Sequence, residues 1–384
     1  MAGIYVHIPF CRQACYYCNF HFSTSLKNRD NFLRCLLKEI SLQKDFLAPF
    51  TKKTKDNKLL IDTLYFGGGT PSMLKISELI KIIKHLNRYF ELKPGAEVTL
   101  EANPDDLTLE KLMAIKKTII NRLSIGIQSF QYPDLKYLNR LHSPAQAIQS
   151  IENSYKAGLE NISVDLIYGI PSLDNEKWRE NLLTVANLEV PHLSVYCLTV
   201  EPKTALSVFI NRGQADDVNE NFISEQFSMM TDILQNYGYD HYEISNFGKP
   251  GYFSAHNLSY WQGKPYLGAG PSAHSFNFKY RQWNINNTAK YIEQVEKGII
   301  PCEKEVITKQ KGFNEYIMTS LRTKWGCNKN EILMQYGHEY LLHFEEQSLL
   351  LLQNGLLIEK GDDVMISGYG KLFADKIASE LFVL

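Results

Sequence analysis

The most constraining feature of this sequence is a run of three closely spaced cysteines after a short apolar segment. Cys11, Cys15 and Cys18 form a C-x3-C-x2-C array directly after the predicted strand 4–8. A structural zinc site takes four protein ligands, whereas an iron–sulfur cubane held by three thiolates leaves one iron open to a small molecule. The next cysteine, Cys35, lies in a helical pattern. The array therefore predicts a cluster with one open iron.

Composition and charge exclude several classes of protein. The chain has 384 residues, of which 44% are hydrophobic and 22% charged, as in an ordinary globular protein. Its formal net charge of −1 gives no general attraction to nucleic acid or anionic lipid. The seven cysteines are odd in number and only three are clustered, which indicates a reducing compartment rather than a disulfide framework. We find no signal segment and no membrane-spanning apolar run, so we expect a cytoplasmic protein.

Segments typical of β-strands alternate with helical patterns through the first 240 residues or so of the chain. Such alternation predicts a parallel sheet with crossover helices. Six units favour an α/β fold of the partial (βα)6 TIM type over a full eight-unit barrel. The predicted strands are 4–8, 60–66, 97–101, 122–127, 162–167 and 193–197, and the predicted helices are 28–48, 76–90, 108–118, 144–158, 174–188 and 218–237.

Changes in composition along the chain predict three regions. Residues 1–238 form the barrel, and residues 239–299, rich in aromatic residues, glycine and asparagine, form a loop-rich elaboration. Residues 300–384 combine helices with a Gly-Asp-Asp turn, which suggests a small winged-helix-like α/β domain. Residues 311–384 hold seven Lys and Arg against ten Asp and Glu, so we expect a lid or packing domain and no nucleic-acid partner.

Unusual polar residues fall at the carboxyl ends of the predicted strands, where the functional residues of a βα barrel gather. They are, after the cysteines, the glycine triplet 67–69 with Thr70, then Glu101, Gln128, Asp165, Tyr196 and Thr199. The triplet is either an anion-binding turn or only a tight βα turn.

Three charged residues near this rim have alternative roles. Glu101 is placed to bind an amine or a ribose hydroxyl, or else to form a salt bridge. Asp165, inside an apolar strand, needs a partner or a ligand. Arg140 is a candidate for that partner, or for a contact with a ligand carboxylate.

Five motifs together resemble those of radical S-adenosylmethionine (SAM) proteins. The resemblance extends from residue 3 to about residue 290. Within these proteins, the chain is similar to the branch that contains oxygen-independent coproporphyrinogen III oxidase and the heme chaperone HemW. The motifs are Tyr-Val-His-Ile-Pro-Phe-Cys-x3-Cys-x2-Cys, Phe-Gly-Gly-Gly-Thr-Pro, Glu-Ala-Asn-Pro, Arg-Leu-Ser-Ile-Gly-Ile-Gln-Ser and Asp-Leu-Ile-Tyr-Gly-Ile-Pro.

The resemblance implies a [4Fe–4S] cluster on Cys11, Cys15 and Cys18 whose open iron is chelated by SAM. A one-electron donor would then drive cleavage of SAM to methionine and a 5′-deoxyadenosyl radical. It also implies that SAM, in one or two sites, contacts Tyr5, Tyr17, Gly68, Gly69, Thr70, Glu101, Gln128, Arg140 and Asp165, with Thr199 beside the second site.

Two features separate the branches of this family. The oxidase carries a further cysteine at the position of Phe20 and a longer N-terminal extension. Residues 256–261, His-Asn-Leu-Ser-Tyr-Trp, match the H-N-x-x-Y-W signature of the heme chaperones. The resemblance thus implies heme as a further cofactor, His256 as its axial ligand, Tyr260 and Trp261 beside the macrocycle, and transfer of heme to acceptor hemoproteins such as respiratory-chain cytochromes. The alternative is the oxidase, which decarboxylates coproporphyrinogen III to protoporphyrinogen IX.

Overall fold

The chain folds around six parallel strands that follow one another in the sheet in the order of the sequence. The computed structural model describes residues 2–384, with the side chain of residue 221 excepted. Each strand is hydrogen-bonded to the next in parallel register. The partial barrel is thereby confirmed, with strands β1 (Gly3–Ile8), β2 (Leu59–Gly68), β3 (Phe90–Ala102), β4 (Arg122–Gln128), β5 (Ile162–Tyr168) and β6 (His192–Cys197).

Helices connect these strands, and side-chain caps begin several of them. Thr108, Ser143, Asp174 and Thr204 each accept a hydrogen bond from a backbone N–H three residues later. All six predicted helices are present, and two short ones, α4 and α7, are additional. The helices are α1 (Arg29–Leu42), α2 (Ile76–Leu86), α3 (Leu109–Lys116), α4 (Tyr132–Tyr137), α5 (Pro144–Lys156), α6 (Asn175–Asn187), α7 (Ala205–Asn211) and α8 (Glu220–Asn236).

The side chains of β1, β2 and β3 that point into the barrel form three levels. The strands pair in register, and alternate side chains of a strand face the same way. From the amino ends of the strands to the carboxyl ends, the levels are Gly3, Thr63 and Glu97; Tyr5, Tyr65 and Thr99; and His7, Gly67 and Glu101. The highest level lies at the rim, and the lowest lies roughly 13 Å below it, at about 3.3 Å per residue.

Residues 239–306 extend the sheet at both edges. Strands β8 and β7 continue it beyond β6, and β9 pairs in parallel with β1 and leads into β10, β11 and β12. The elements are β7 (Asp240–Glu243), β8 (Asn246–Gly248), α9 (Ala255–Trp261), β9 (Tyr266–Ala269), β10 (His274–Phe276), β11 (Tyr280–Asn284), α10 (Thr288–Glu296) and β12 (Cys302–Val306). The barrel core continues through Val295. The division at residues 238 and 299 therefore stays a prediction.

A buried carboxylate, Glu39 of α1, attaches this elaboration to the barrel. Glu39 accepts hydrogen bonds from the backbone N–H of Gly270 at 2.7 Å, from the amides of Asn284 and Gln43 at 2.6 and 2.9 Å, and from the Tyr291 hydroxyl. Burial raises the pKa of Glu39 to about 7, although these donors favour the ionised form.

The C-terminal residues form a second hydrophobic core around Phe313, Ile317 and Phe344. Its helices pack with a three-stranded antiparallel sheet whose first strand follows the first helix and whose other two strands form a hairpin, which matches the expected winged-helix-like arrangement. Within residues 2–384, no helix combines the length and apolar character needed to cross a bilayer. The elements are α11 (Lys309–Leu321), β13 (Cys327–Asn328), α12 (Lys329–Tyr336), α13 (His338–Gln353), β14 (Leu357–Lys360), β15 (Asp363–Ile366) and α14 (Ala374–Glu380).

Candidate functional site

The three cysteines lie on the loop that connects β1 to α1, at the carboxyl rim of the barrel. Cys11, Cys15 and Cys18 are half-buried, and none is in a disulfide. The hydroxyl of Thr70 donates to Sγ of Cys11 at 3.4 Å, and Nη1 of Arg140 donates to Sγ of Cys15 at 3.3 Å. The loop thus brings its thiols against two of the residues that were predicted for the site.

Asn139, at the end of the turn after α4, holds this loop in place. The amide of Gln13 donates to the backbone oxygen and to Oδ1 of Asn139 at 3.0 and 2.7 Å, and the Asn139 amide donates to the backbone oxygen of Ala14 at 2.7 Å. The N–H of Tyr16 donates to the backbone oxygen of Leu138 at 3.2 Å. Hydrogen bonds within the protein therefore position this loop.

The donor set fits an iron–sulfur cubane. Burial raises the pKa of the Cys11 and Cys18 thiols to about 11, so cation or metal charge is needed to hold them as thiolates. Among residues 2–384, no three His, Cys, Asp or Glu side chains converge to hold a single metal ion. A cubane requires no such convergence, because each thiolate binds a different iron.

The glycine triplet forms a tight turn between the cysteine loop and Glu101. Gly68 has φ +114°, which only glycine adopts without strain, and its N–H donates to Oε2 of Glu101 at 3.1 Å. A Cβ on Gly69 would lie 3.0 Å from Sγ of Cys11 and 2.8 Å from the backbone oxygen of Phe10. The triplet therefore positions Cys11 and Glu101, and the Gly68 N–H serves a protein carboxylate.

Glu101 is a half-buried carboxylate at the rim. Its Oε1 accepts a hydrogen bond from the Tyr65 hydroxyl at 2.8 Å, in addition to the Gly68 bond. Burial, opposed by the Tyr65 hydrogen bond and reinforced by the charge of Asp165, raises its pKa to about 7. No Lys, Arg or His in the part of the chain that the structure describes forms an ion pair with Glu101. The salt-bridge alternative is thus not observed.

Asp165 and Arg140 lie near each other but have other partners. Asp165 accepts a hydrogen bond from the Ser124 hydroxyl at 3.2 Å, and burial raises its pKa to about 7. Nη2 of Arg140 donates to Oδ1 of Asn103 at 2.8 Å and to the backbone oxygen of Gly126 at 2.6 Å, and its Nε has no partner among the described residues. A direct ion pair between Arg140 and Asp165 is not among the contacts of either side chain.

Of the remaining predicted SAM residues, Gln128 and Tyr17 lie near the rim and Tyr5 lies one level below it. Gln128 ends β4 with φ 70°, a left-handed conformation that is uncommon for a side-chain-bearing residue, and the β4–β5 register shifts beside it. Tyr5 stacks on Tyr65 at 6.0 Å, and Tyr17 is half-buried on the cysteine loop. Thr199 is exposed, and its hydroxyl donates to the backbone oxygen of Cys197 at 3.4 Å.

His256 does not lie at the rim. It is 1% exposed, at the lowest level of the barrel, where its Nδ1 lies 2.8 Å from the Thr63 hydroxyl and its Nε2 lies 2.7 Å from the Tyr260 hydroxyl. Burial lowers its pKa to about 3, so the imidazole is neutral. In this conformation both ring nitrogens are engaged and neither is presented to a heme iron. Ligation of heme by His256 stays a prediction.

The two aromatic residues that follow His256 also pack within the protein. The Tyr260 ring meets His256 edge-on at 4.8 Å and Tyr266 at 4.5 Å, and the guanidinium of Arg322 lies 5.1 Å from the Trp261 ring. In this conformation both aromatic side chains contact other residues of the protein. Their place beside heme stays a prediction.

Three residues of the site were not assigned from the sequence. Tyr65 binds Glu101, Asn103 binds Arg140 and donates to the Thr70 hydroxyl at 3.3 Å, and Ser124 binds Asp165. Two of these carry a usable signal. Tyr65 precedes Gly67 by two residues and so shares its face of the strand, and Asn103 belongs to the Glu-Ala-Asn-Pro motif.

Comparison with known proteins identifies relatives across the whole chain. A family model described as the radical SAM superfamily matches residues 5–185. The chain is 31% identical to the heme chaperone HemW of Bacillus subtilis over 98% of both chains, and 30% identical to that of Escherichia coli over 99% of this chain and 98% of the relative. The solved structure of coproporphyrinogen III oxidase (HemN) from Escherichia coli matches all of this chain and 90% of its own, with a TM-score of 0.84 at 21% identity, which establishes the fold.

Proposed function

This chain belongs to the radical SAM superfamily, in the family of the heme chaperone HemW, and from this premise we propose that it binds a [4Fe–4S] cluster, SAM and heme and transfers heme to acceptor hemoproteins. The observation that carries the proposal is the position of three unpaired cysteines beside Glu101, a rim carboxylate without an ion-pair partner among the described residues.

The arrangement of the rim supports the binding of cluster and SAM. Cys11, Cys15 and Cys18 would hold the cluster, which supplies the electron for reductive cleavage of SAM. Glu101 offers a carboxylate for the amino group of SAM, because Tyr65 and Gly68 already orient both of its oxygens. Beyond Glu101, the predicted SAM residues are Tyr5, Tyr17, Gly68, Gly69, Thr70, Gln128, Arg140 and Asp165.

Similarity along the whole chain supports the heme chaperone over the oxidase. The relatives named heme chaperones match at 30–31% identity from end to end. Phe20, which stands where the oxidase has a further cysteine, is 74% exposed on the cysteine loop. We place the protein in the cytoplasm because its seven cysteines are unpaired. The proposed partners are a one-electron donor and respiratory-chain cytochromes.

The first experiment tests the cluster and SAM. Anaerobic reconstitution should give about four irons per chain and a [4Fe–4S] spectrum, and SAM should perturb the paramagnetic signal of the reduced protein. Substitution of Cys11, Cys15 and Cys18 by alanine should remove both. Cys35→Ala is the matched control, since Cys35 is buried in α1, where its thiol donates to the backbone oxygen of Ile292 in α10. A wild-type protein that binds zinc and no iron would refute this part.

The second experiment tests the fate of heme. Heme loaded on the protein is offered to the heme-free cytochrome subunit of a respiratory complex and, separately, to apomyoglobin, which captures only released heme. Transfer to the cytochrome that is faster than capture by apomyoglobin supports a chaperone, and equal rates contradict one. Incubation with SAM, reductant and coproporphyrinogen III should give no protoporphyrinogen; catalytic formation of that product would assign the oxidase instead.

A further inference from the structure

We propose that His256 is a positioning residue for SAM binding: it supports the ring of Tyr65 from below and so fixes the hydroxyl that orients Glu101. The inference deepens the proposed function and rests on it for the identity of SAM as the ligand. It differs from the expected role of the H-N-x-x-Y-W signature, in which the same imidazole binds heme iron.

The first step is that α9 forms a fixed floor of the barrel. Glu97, at the lowest level, accepts hydrogen bonds from the backbone N–H groups of Ala255 and His256, both at 2.9 Å. A carboxylate at a helix N-terminus complements the partial positive charge there. Nε of Arg122, itself buried, lies 3.8 Å from Glu97. The start of α9 is thus tied to β3 and β4.

The second step is that the imidazole has one orientation. Thr63 holds Nδ1 and Tyr260 holds Nε2, at 2.8 and 2.7 Å. Thr63 belongs to β2, two residues before Tyr65 and on the same face of the strand. A neutral ring bonded at both nitrogens in a buried site cannot rotate without leaving a polar atom unpaired.

The third step is a set of stacked rings above this floor, where the His256 ring also lies 6.5 Å from the ring of Tyr5, the neighbour of Tyr65 at the middle level. The His256 and Tyr65 rings lie 4.9 Å apart at 24°, and the Tyr65 and Tyr5 rings lie 6.0 Å apart at 25°. Tyr65 is 8% exposed, so its ring has little room to shift. Its far end carries the hydroxyl that donates to Oε1 of Glu101 at 2.8 Å. The position of the imidazole therefore sets the position of that hydroxyl.

The fourth step concerns the carboxylate. Among the residues that the structure describes, Glu101 accepts hydrogen bonds from the Tyr65 hydroxyl and the Gly68 N–H, and Gly68 has no recorded contact with His256. Displacement of the Tyr65 hydroxyl would leave Glu101 with the Gly68 bond alone. The carboxylate would then be less well oriented and less readily ionised, because the lost bond favours its charged form.

The experiment measures SAM affinity of the reconstituted protein by calorimetry in three single variants and one double variant. His256→Ala removes the support and Tyr65→Phe removes the hydroxyl, and each should weaken SAM binding about tenfold, the size expected for one hydrogen bond to a charged group. His256→Phe keeps the stack and should recover much of the affinity. The double variant His256→Ala/Tyr65→Phe should bind no more weakly than either single variant, because both act through one hydroxyl.

A control variant separates positioning from general destabilisation. His241→Ala removes another ring-stacked imidazole, 4.0 Å from Phe247, with hydrogen bonds to Ile244 and Lys371 and no contact with Tyr65 or Glu101. It should lower the melting temperature without altering SAM affinity. Equal loss of SAM affinity in His241→Ala and His256→Ala, or unchanged SAM affinity with a lost Soret band in His256→Ala, would overturn the inference.

A second readout needs neither cluster nor SAM. The carboxyl of Glu101, identified in ¹³C-glutamate spectra by its absence in Glu101→Gln, should titrate near pH 7 in the wild-type protein and at higher pH in His256→Ala and Tyr65→Phe. An unchanged midpoint in His256→Ala would overturn the inference. A wild-type protein that binds no SAM would refute the proposed function, and this titration would still decide the role of His256.

Discussion

The Arg140 guanidinium lies 3.3 Å from the sulfur of Cys15 and is held there by Asn103 and the backbone oxygen of Gly126. A positive charge is thereby fixed beside a thiol that is predicted to bind the cluster. A nearby cation stabilises the more negatively charged state of a redox centre, so it should favour the reduced cluster.

Arg140→Met should therefore lower the reduction potential of the reconstituted cluster, by about 60 mV, the one-electron equivalent of about 1.4 kcal/mol. The measurement is an anaerobic redox titration followed by the paramagnetic signal. Lys136→Met removes an exposed positive charge from the adjacent helix α4 and should leave the potential within error. Equal shifts in both variants would show that only net charge matters.

Gly69→Ala should destabilise the protein and reduce its iron content. The new Cβ would lie 2.8 and 3.0 Å from the backbone oxygens of Phe10 and Ile8, and 3.0 Å from Sγ of Cys11. Overpacking of this kind costs about 1–3 kcal/mol, which denaturant unfolding of the cluster-free protein measures. Gly368→Ala, at a glycine with nothing within 4 Å of the added carbon, is the control. Full iron content in Gly69→Ala would contradict the close approach to Cys11.

SAM affinity should fall as the pH is lowered through about 7. Burial raises the pKa of Glu101 to about 7, so the carboxylate loses its charge below that pH while the amino group of SAM keeps its own. The decline should approach tenfold per pH unit until the lower pKa of the complex is reached. Calorimetry between about pH 5.5 and about pH 8.5, roughly one and a half units on either side of the Glu101 pKa, measures this decline in SAM affinity.

Asp165→Asn should shift this midpoint to lower pH. The charge of Asp165 contributes to the raised pKa of Glu101, so its removal lets Glu101 ionise more readily. The midpoint is the quantity to compare, since the variant can also alter affinity at high pH. A midpoint unmoved by Asp165→Asn would show that the two carboxylates do not interact.

The unliganded protein should lose stability as the pH rises from about 4.5 to 7. Glu39 has a folded-state pKa of about 7 against 4.5 ordinarily, so the folded state binds the proton more tightly and ionisation favours unfolding. The loss from this group is about 3 kcal/mol. Tyr291→Phe removes a donor that favours the charged form, so its loss between pH 5 and pH 8 should be larger.

Denaturant unfolding at the two pH values tests this expectation. Tyr237→Phe, at a tyrosine that is 44% exposed, is the control and should follow the wild type. Other buried carboxyls titrate in the same window, so the comparison between variants isolates Glu39. A Tyr291→Phe variant with the pH dependence of the wild type would show that the Tyr291 hydrogen bond does not favour the ionised form of Glu39.

The sequence predicted the rim of the barrel well because local patterns determine it. Strand–helix alternation requires parallel strands, and parallel strands bring their carboxyl ends to one edge. Cys11, Gly68 and Glu101 therefore came together without knowledge of any contact. Gln128 also lies at its strand end, in a left-handed conformation that no local pattern indicated.

The sequence could not locate contacts between distant segments. His256 reaches Thr63 across 193 residues of chain, and its burial follows from where α9 enters the barrel. The signature 256–261 identified a family but carried no information on which atoms are accessible. Likewise, strand β12 at 302–306 joins the large sheet through β11, although residues 300–384 were predicted to form the C-terminal domain.

The hydrogen bonds between Asn139 and the cysteine loop have a consequence for the assembly of the cluster. Gln13, Ala14 and Tyr16 are hydrogen-bonded to Leu138 and Asn139, in the turn after α4. A segment ordered in advance loses little chain entropy when its cofactor arrives. The empty protein should then resist proteolysis at this loop and accept iron and sulfide without a preceding folding transition.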